Sequence, residues 1–252
     1  DSGPLVFLAV RFVLAAAVLG AVAAATRMAR PTRRQLGAAS LAGLGLHALY
    51  LGGVFLAISW GMPSGVSALI AGLHPVITAV AARGLLGERL RPIQWVGVAR
   101  GFAGVIAVVV DRLVAGAKGL SLGAIVASVI SVIGICAGTL VQRRSGGSTP
   151  LVWGTCAQYV ASAAALMIAA SVHSSFGGYE GMRLTRSTIF ALAWSVFVMS
   201  IAAILIMLWL LRRHAAARVS SLFFLTPALS TIEGAILFGE RMGVLALIGL
   251  VA

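Results

Sequence analysis

A stretch beginning at Pro75 is echoed 152 positions later by one beginning at Pro227. Leu85 matches Leu237, and Gly87, Glu88 and Arg89 match Gly239, Glu240 and Arg241 in register. Each copy closes one long apolar run and opens the next. Self-similarity inside hydrophobic segments limits the chain to a membrane protein built from two repeats, and in transporters the binding site lies between such halves.

Composition supports the membrane assignment. Hydrophobic residues make up 60% and charged residues 10% of the 252, against about 25% charged in soluble domains. Mean hydropathy is +1.06. A formal net charge of +13 would suggest nucleic acid in a soluble chain. Here the arginines fall in short connections between apolar runs, which points to topology and anionic lipid instead. Cys136 and Cys156 lie inside apolar stretches and read as small buried hydrophobes. No spacing of His, Cys or carboxylates suggests a metal site, and no cofactor is expected. Lys118 is the one lysine among the cations, a usage associated with GC-rich bacterial genomes.

Nine apolar stretches follow one another: 4–25, 36–59, 63–86, 92–110, 121–142, 150–171, 188–211, 219–238 and 243–252. Most approach the ~20 residues needed to span a ~30 Å hydrocarbon core. The last holds ten residues and is expected to be an incomplete span, covering about half the core at ~1.5 Å per residue. Eleven arginines (27, 30, 33, 34, 89, 91, 143, 144, 212, 213 and 218) fall in one set of alternate connections. Five cations (112, 118, 183, 186 and 241) fall in the other set. The first set is therefore expected to face the cytoplasm, with Asp1 outside. The third and eighth stretches carry the repeat and are five apart. An odd offset gives them opposite directions, so the halves are expected to be inverted repeats.

With these residues in view the chain resembles an EamA-type member of the drug/metabolite transporter superfamily. The residues that carry the resemblance are 4–12, 48–57, 63–75, 87–89, 220–227 and 239–241. The resemblance implies an all-α polytopic membrane fold of ten helices in two inverted five-helix repeats, with cytoplasmic termini. Against that pattern the chain is expected to lack the family's first helix and half of its tenth. Residues 1–111 would hold family helices 2–5, and 121–252 family helices 6–10. The resemblance further implies a monomer in the bacterial inner membrane. It would export amino acids or related metabolites by alternating access, and nucleotide sugars or drugs are the rival cargo within the superfamily.

Several residues could carry transport. Ser67, Ala71, His74 and Thr78 recur at helical steps, as do Thr226, Ser230 and Glu233. Under the 152-residue shift His74 matches Thr226 and Thr78 matches Ser230, so both stripes are expected to line one central cavity. The bland alternative is hydrogen bonding to their own or neighbouring backbones. Pro75 and Pro227 sit mid-stretch, where each would free a carbonyl, and they are expected to act as kinks or hinges. Glu233 is the one carboxylate deep within a stretch. It is a candidate for proton coupling, for binding a substrate ammonium, or for a structural ion pair with Arg11 or Arg100. Arg11 could instead snorkel or bond helix-end carbonyls. Arg11 and Phe12 align with Gln158 and Tyr159 as repeat counterparts. His47 and Tyr50 could present polar and aromatic edges to a ligand, although a lone histidine in an apolar helix is more often packing. Trp194, near the outer end of its stretch, is a gate candidate. An intramembrane enzyme would need a converging nucleophile and base or a carboxylate pair, and the sequence offers neither.

Overall fold

The computed structural model describes residues 3–86, 95–96, 99, 121–145, 149–178 and 181–213. These form helices α1 (Pro4–Ala25), α2 (Arg33–Ser59), α3 (Ser64–Ala71), α4 (His74–Leu86), α5 (Leu122–Ser145), α6 (Leu151–Ser175) and α7 (Arg186–Arg213). Among the described residues, α1, α2, α5, α6 and α7 are long and apolar enough to cross a bilayer.

Local chemistry explains where the helices start. Pro4 opens α1, where its missing N–H has no intrahelical partner to lose. The Thr32 hydroxyl accepts from the Gln35 N–H, and the Gln35 side chain accepts from the Thr32 N–H, so a reciprocal capping box opens α2. Thr185 caps α7 by accepting from the Thr188 N–H. The large apolar side chains that remain exposed, such as Ile133, Ile168, Phe190 and Phe197, would be an aggregation liability in water. They suit a surface that meets lipid acyl chains.

The stretch 63–86 is not one helix. It breaks at Gly72 and Leu73, and the Ile77 N–H bonds the Leu73 carbonyl to begin α4. Pro75 therefore falls in the first turn of a new helix. A missing N–H is tolerated there, so the expected mid-helix kink becomes a chain break just before the proline. The stripe Ser67, Ala71, His74, Thr78 is correspondingly divided between α3 and α4.

Two hydrophobic clusters hold the bundle. One joins α2, α3, α5 and the end of α7 through Leu46, Val66, Ile135 and Leu208. The other joins α1, α2, α6 and α7 through Leu8, Phe12, Tyr159 and Val196. Helix α2 is wedged between α5 and α6 by glycines. A Cβ on Gly45 would lie 2.6 Å from the Gly134 carbonyl oxygen, and one on Gly43 would lie 2.5 Å from the Gln158 Cα. Only glycine permits such backbone approach, which in lipid replaces the hydrophobic driving force with dispersion contacts.

Two ends of the bundle can be told apart. Arg143 Nη1 donates to the Leu211 carbonyl at 2.9 Å, Arg212 Nη2 donates to the Thr149 carbonyl, and Trp153 Nε1 donates to the Met28 carbonyl at 3.4 Å. Those bonds gather the arginine-bearing ends of α1, α5 and α7 on one face. At the other face the Gly3 N–H bonds the Gly181 carbonyl, and Trp60 lies 6.1 Å from the His173 ring.

A buried polar and aromatic node as candidate site

Helices α2 and α7 each depart from α-helical bonding near their middle. Leu44–Leu49 and Ser195–Ala203 are π-helical, a distortion that inserts an extra residue per turn and recurs at functional sites. Helices α1 and α6 cross beside both distortions, and their polar residues meet there.

Phe12 and Tyr159 stack with ring centroids 5.0 Å apart and planes within 10°. His47 tilts against both rings, at 5.4 Å and 4.8 Å. Its Nε2 lies 3.1 Å from Gln158 Oε1, and Gln158 Nε2 donates to Gln142 Oε1 at 2.8 Å. Because the Gln158 amide nitrogen is used on Gln142, its oxygen faces the histidine, and His47 donates through Nε2. On the other flank, Arg11 Nε donates to Ser200 Oγ at 2.6 Å. The Tyr159 hydroxyl donates to the carbonyl of the same Ser200. The Arg11 guanidinium also stands 5.4 Å from the Phe12 centroid, within cation–π range.

Burial sets the energetic stakes. His47 and Gln158 are each 1% exposed and Arg11 is 5% exposed. Leaving any one of these donors or acceptors unpaired would cost about 1–3 kcal/mol. Arg11 thus neither snorkels nor bonds a helix end; it is held inside the bundle by a serine hydroxyl and an aromatic face. All six carboxylates of the sequence lie outside the described residues, so within the described part Arg11 is balanced by dipoles alone.

A second polar group lies between α4 and α5. His74 Nε2 is 3.3 Å from Thr139 Oγ1, and the Cys136 thiol donates to the His74 carbonyl at 3.7 Å. Thr78 sits against the same thiol. The Ser67 hydroxyl is buried with no partner among the described residues. A small cleft opens near the arginine-bearing ends of α2, α5, α6 and α7, where Gln142, Thr155, Gln158 and Arg212 contribute to its lining. Gln142 and Gln158 belong to both cleft and node, so the cleft leads to the node.

The structure therefore brings Arg11, His47, Gln158 and Tyr159 together and keeps His74 and Thr78 in a separate group. Tyr50 is half-buried and packs on the α2–α5 side, away from the node. Trp194 is 55% exposed and points outward, because the residues of α7 that pack inward around it are Leu192, Ser195 and Val196. Thr226, Pro227, Ser230, Glu233 and Arg100 lie outside the described residues. Sequence reasoning missed Ser200, Gln142 and Thr139. Ser200 left a signal, since it is the one polar residue between Val196 and Leu211.

Residues 1–110 match the EamA-like transporter family. The chain is 27% identical over 243 residues to the "Uncharacterized inner membrane transporter YedA" of Escherichia coli (strain K12), covering 95% of this chain and 75% of that protein. It is 26% identical over 208 residues to the "Probable amino-acid metabolite efflux pump" of the same strain, covering 79% of this chain and 67% of that protein. A solved protein crystal structure superposes with a TM-score of 0.75 at 20% identity, covering 100% of this chain and 84% of its own, and it supports the fold. The polytopic helical architecture, the match over residues 1–110 and these relatives together support a multi-pass membrane transporter similar to the EamA-like transporters.

Proposed function

We propose that the chain exports small amphipathic metabolites, amino acids among them, by alternating access between two inverted halves, 1–111 and 121–252. The observation that carries this reading is the node. Four helices, two from each proposed half, meet at the π-helical distortions near the middle of α2 and α7. Transporter substrate sites characteristically lie at the repeat interface near the midplane, where helices depart from regular bonding. The name of the E. coli efflux pump supports the cargo class. The arginine-bearing face is assigned to the cytoplasm, so the cleft beside Gln142 and Arg212 is the loading side for export. The stacked Phe12–Tyr159 pair with His47 offers apolar and aromatic surface, and Arg11 offers a guanidinium suited to a carboxylate. Glu233 is the candidate for proton coupling or for a substrate ammonium.

Counterflow in proteoliposomes tests the reading. Vesicles holding the purified chain and preloaded with unlabelled amino acids should accumulate labelled amino acid transiently, and Arg11→Met should lose that accumulation. Absence of counterflow across a full amino-acid panel, with protein correctly inserted, would exclude the cargo class.

A further inference from the structure

The two hydrogen bonds that join the halves at the node are exchanged by the repeat. Helices α2 and α7 both begin with Thr-Arg, at Thr32–Arg33 and Thr185–Arg186, and both use the threonine as cap. The shift between them is 153 residues (186 − 33), and the same shift carries His47 onto Ser200. Both residues lie inside the π-helical segments, Leu44–Leu49 and Ser195–Ala203. In α1 and α6 the counterparts are Arg11 and Gln158. The bond from Arg11 to Ser200 and the bond between Gln158 and His47 are therefore one interaction made twice, each time by α1 or its counterpart α6 reaching the distorted helix of the other half.

We infer that these bonds are paired latches of the transport cycle, with Ser200 and His47 as positioning residues that hold opposite sides of the bundle closed. Sidedness follows from the helices. Arg11 is seven residues from the Pro4 end of α1, roughly 10 Å from the face opposite the arginines. Gln158 is seven residues from the Leu151 end of α6, the same distance from the arginine-bearing face, and it lines the cleft there. Opening the Arg11–Ser200 latch frees the outer halves of α1 and α7. Opening the Gln158–His47 latch frees the inner halves of α2 and α6. A π-helical segment suits this role because it can relax toward α-helical bonding and turn its side chains without unfolding the helix.

This inference rests on the inverted-repeat reading, and its test requires no substrate. Reporter cysteines Leu8→Cys, buried in α1, and Ala39→Cys, at the cleft, are labelled in the full chain with a membrane-impermeant maleimide. The outside is probed in intact cells and the inside in inverted vesicles, with Cys136 and Cys156 of the parent chain as background. Loss of one latch should shift the conformational equilibrium about fivefold, the worth of one buried hydrogen bond. Ser200→Ala should raise outside labelling of Leu8→Cys by that factor and lower inside labelling of Ala39→Cys. Gln158→Leu should do the reverse. Arg11→Met removes the first latch from its other end and must reproduce the Ser200→Ala pattern, while Ser200→Thr keeps the hydroxyl and must restore parental labelling. If both latch variants move the reporters in the same direction, or neither moves them in folded protein, the latches do not exist. Opposed labelling shifts without amino-acid counterflow would overturn the cargo assignment alone.

Discussion

Gly138→Ala is the substitution whose effect the structure fixes most tightly. A Cβ at Gly138 would stand 2.6 Å from the Leu46 N, 2.8 Å from the Ala42 carbonyl oxygen and 2.8 Å from the Leu46 Cγ. Ordinary contact begins near 3.4 Å, so α2 and α5 must separate by about 0.8 Å at this point. The closest obstacles are backbone atoms of a helix, so no rotamer change relieves them. The same seam contains Gly45, Gly53 and Gly134, where an added Cβ would likewise meet a neighbour at 2.6 Å or less, and separation at Gly138 loosens those contacts as well. Overpacking of this kind costs about 1–3 kcal/mol, offset by the roughly 0.5–1 kcal/mol that alanine gains over glycine in a helix. A net loss of about 1–2 kcal/mol is expected, a roughly 5–30-fold fall in the folded-to-unfolded ratio. Gly37→Ala is the internal control. Nothing lies within 4 Å of its added Cβ, so it should match or exceed the parent. Thermal unfolding in detergent, followed by size exclusion, compares the two. If Gly138→Ala is as stable as Gly37→Ala, the close α2–α5 seam is wrong.

Further outcomes follow from the same geometry. Tyr159→Phe removes the hydroxyl that the Ser200 carbonyl accepts from, and should destabilise the protein by about 1–2 kcal/mol in the same detergent assay; an unchanged midpoint would mean that this bond contributes nothing. Gln158→Leu strands both His47 Nε2 and Gln142 Oε1 and should cost about 2–4 kcal/mol, more than Tyr159→Phe, because two buried groups lose partners rather than one; the reverse order would contradict the network. If Glu233 carries the coupling proton, Glu233→Gln should abolish uphill accumulation while leaving exchange down a gradient intact; wild-type accumulation by this variant would remove it from coupling. For topology, cysteines at Arg30 and Gly61 should label from opposite sides of the membrane, and labelling from one side would dismantle the inverted-repeat assignment.

Some of this architecture was legible in the residues. Apolar runs of the right length located α1, α2, α5, α6 and α7, because a span in lipid must be long, helical and apolar to satisfy its backbone. The pairing of Arg11 and Phe12 with Gln158 and Tyr159 came from repeat register alone, and in the structure those dipeptides meet. What the residues withheld was facing. A helix that is apolar on nearly all sides can turn almost any face to its neighbours, since lipid and protein interior are equally apolar. Sequence spacing accordingly grouped His47 with Tyr50, and His74 with Ser67 and Thr78. Packing placed His47 with Gln158, Tyr50 on the other side of α2, and His74 with Thr139. The break before Pro75 was likewise a tertiary decision, because the proline rules out a regular turn without saying whether the chain kinks, or ends one helix and starts another. Repeat register could name Arg11, Phe12, Gln158 and Tyr159. Only glycine-mediated approach of α2 to α5 and α6, and the two π-helical distortions, could bring them within hydrogen-bonding distance.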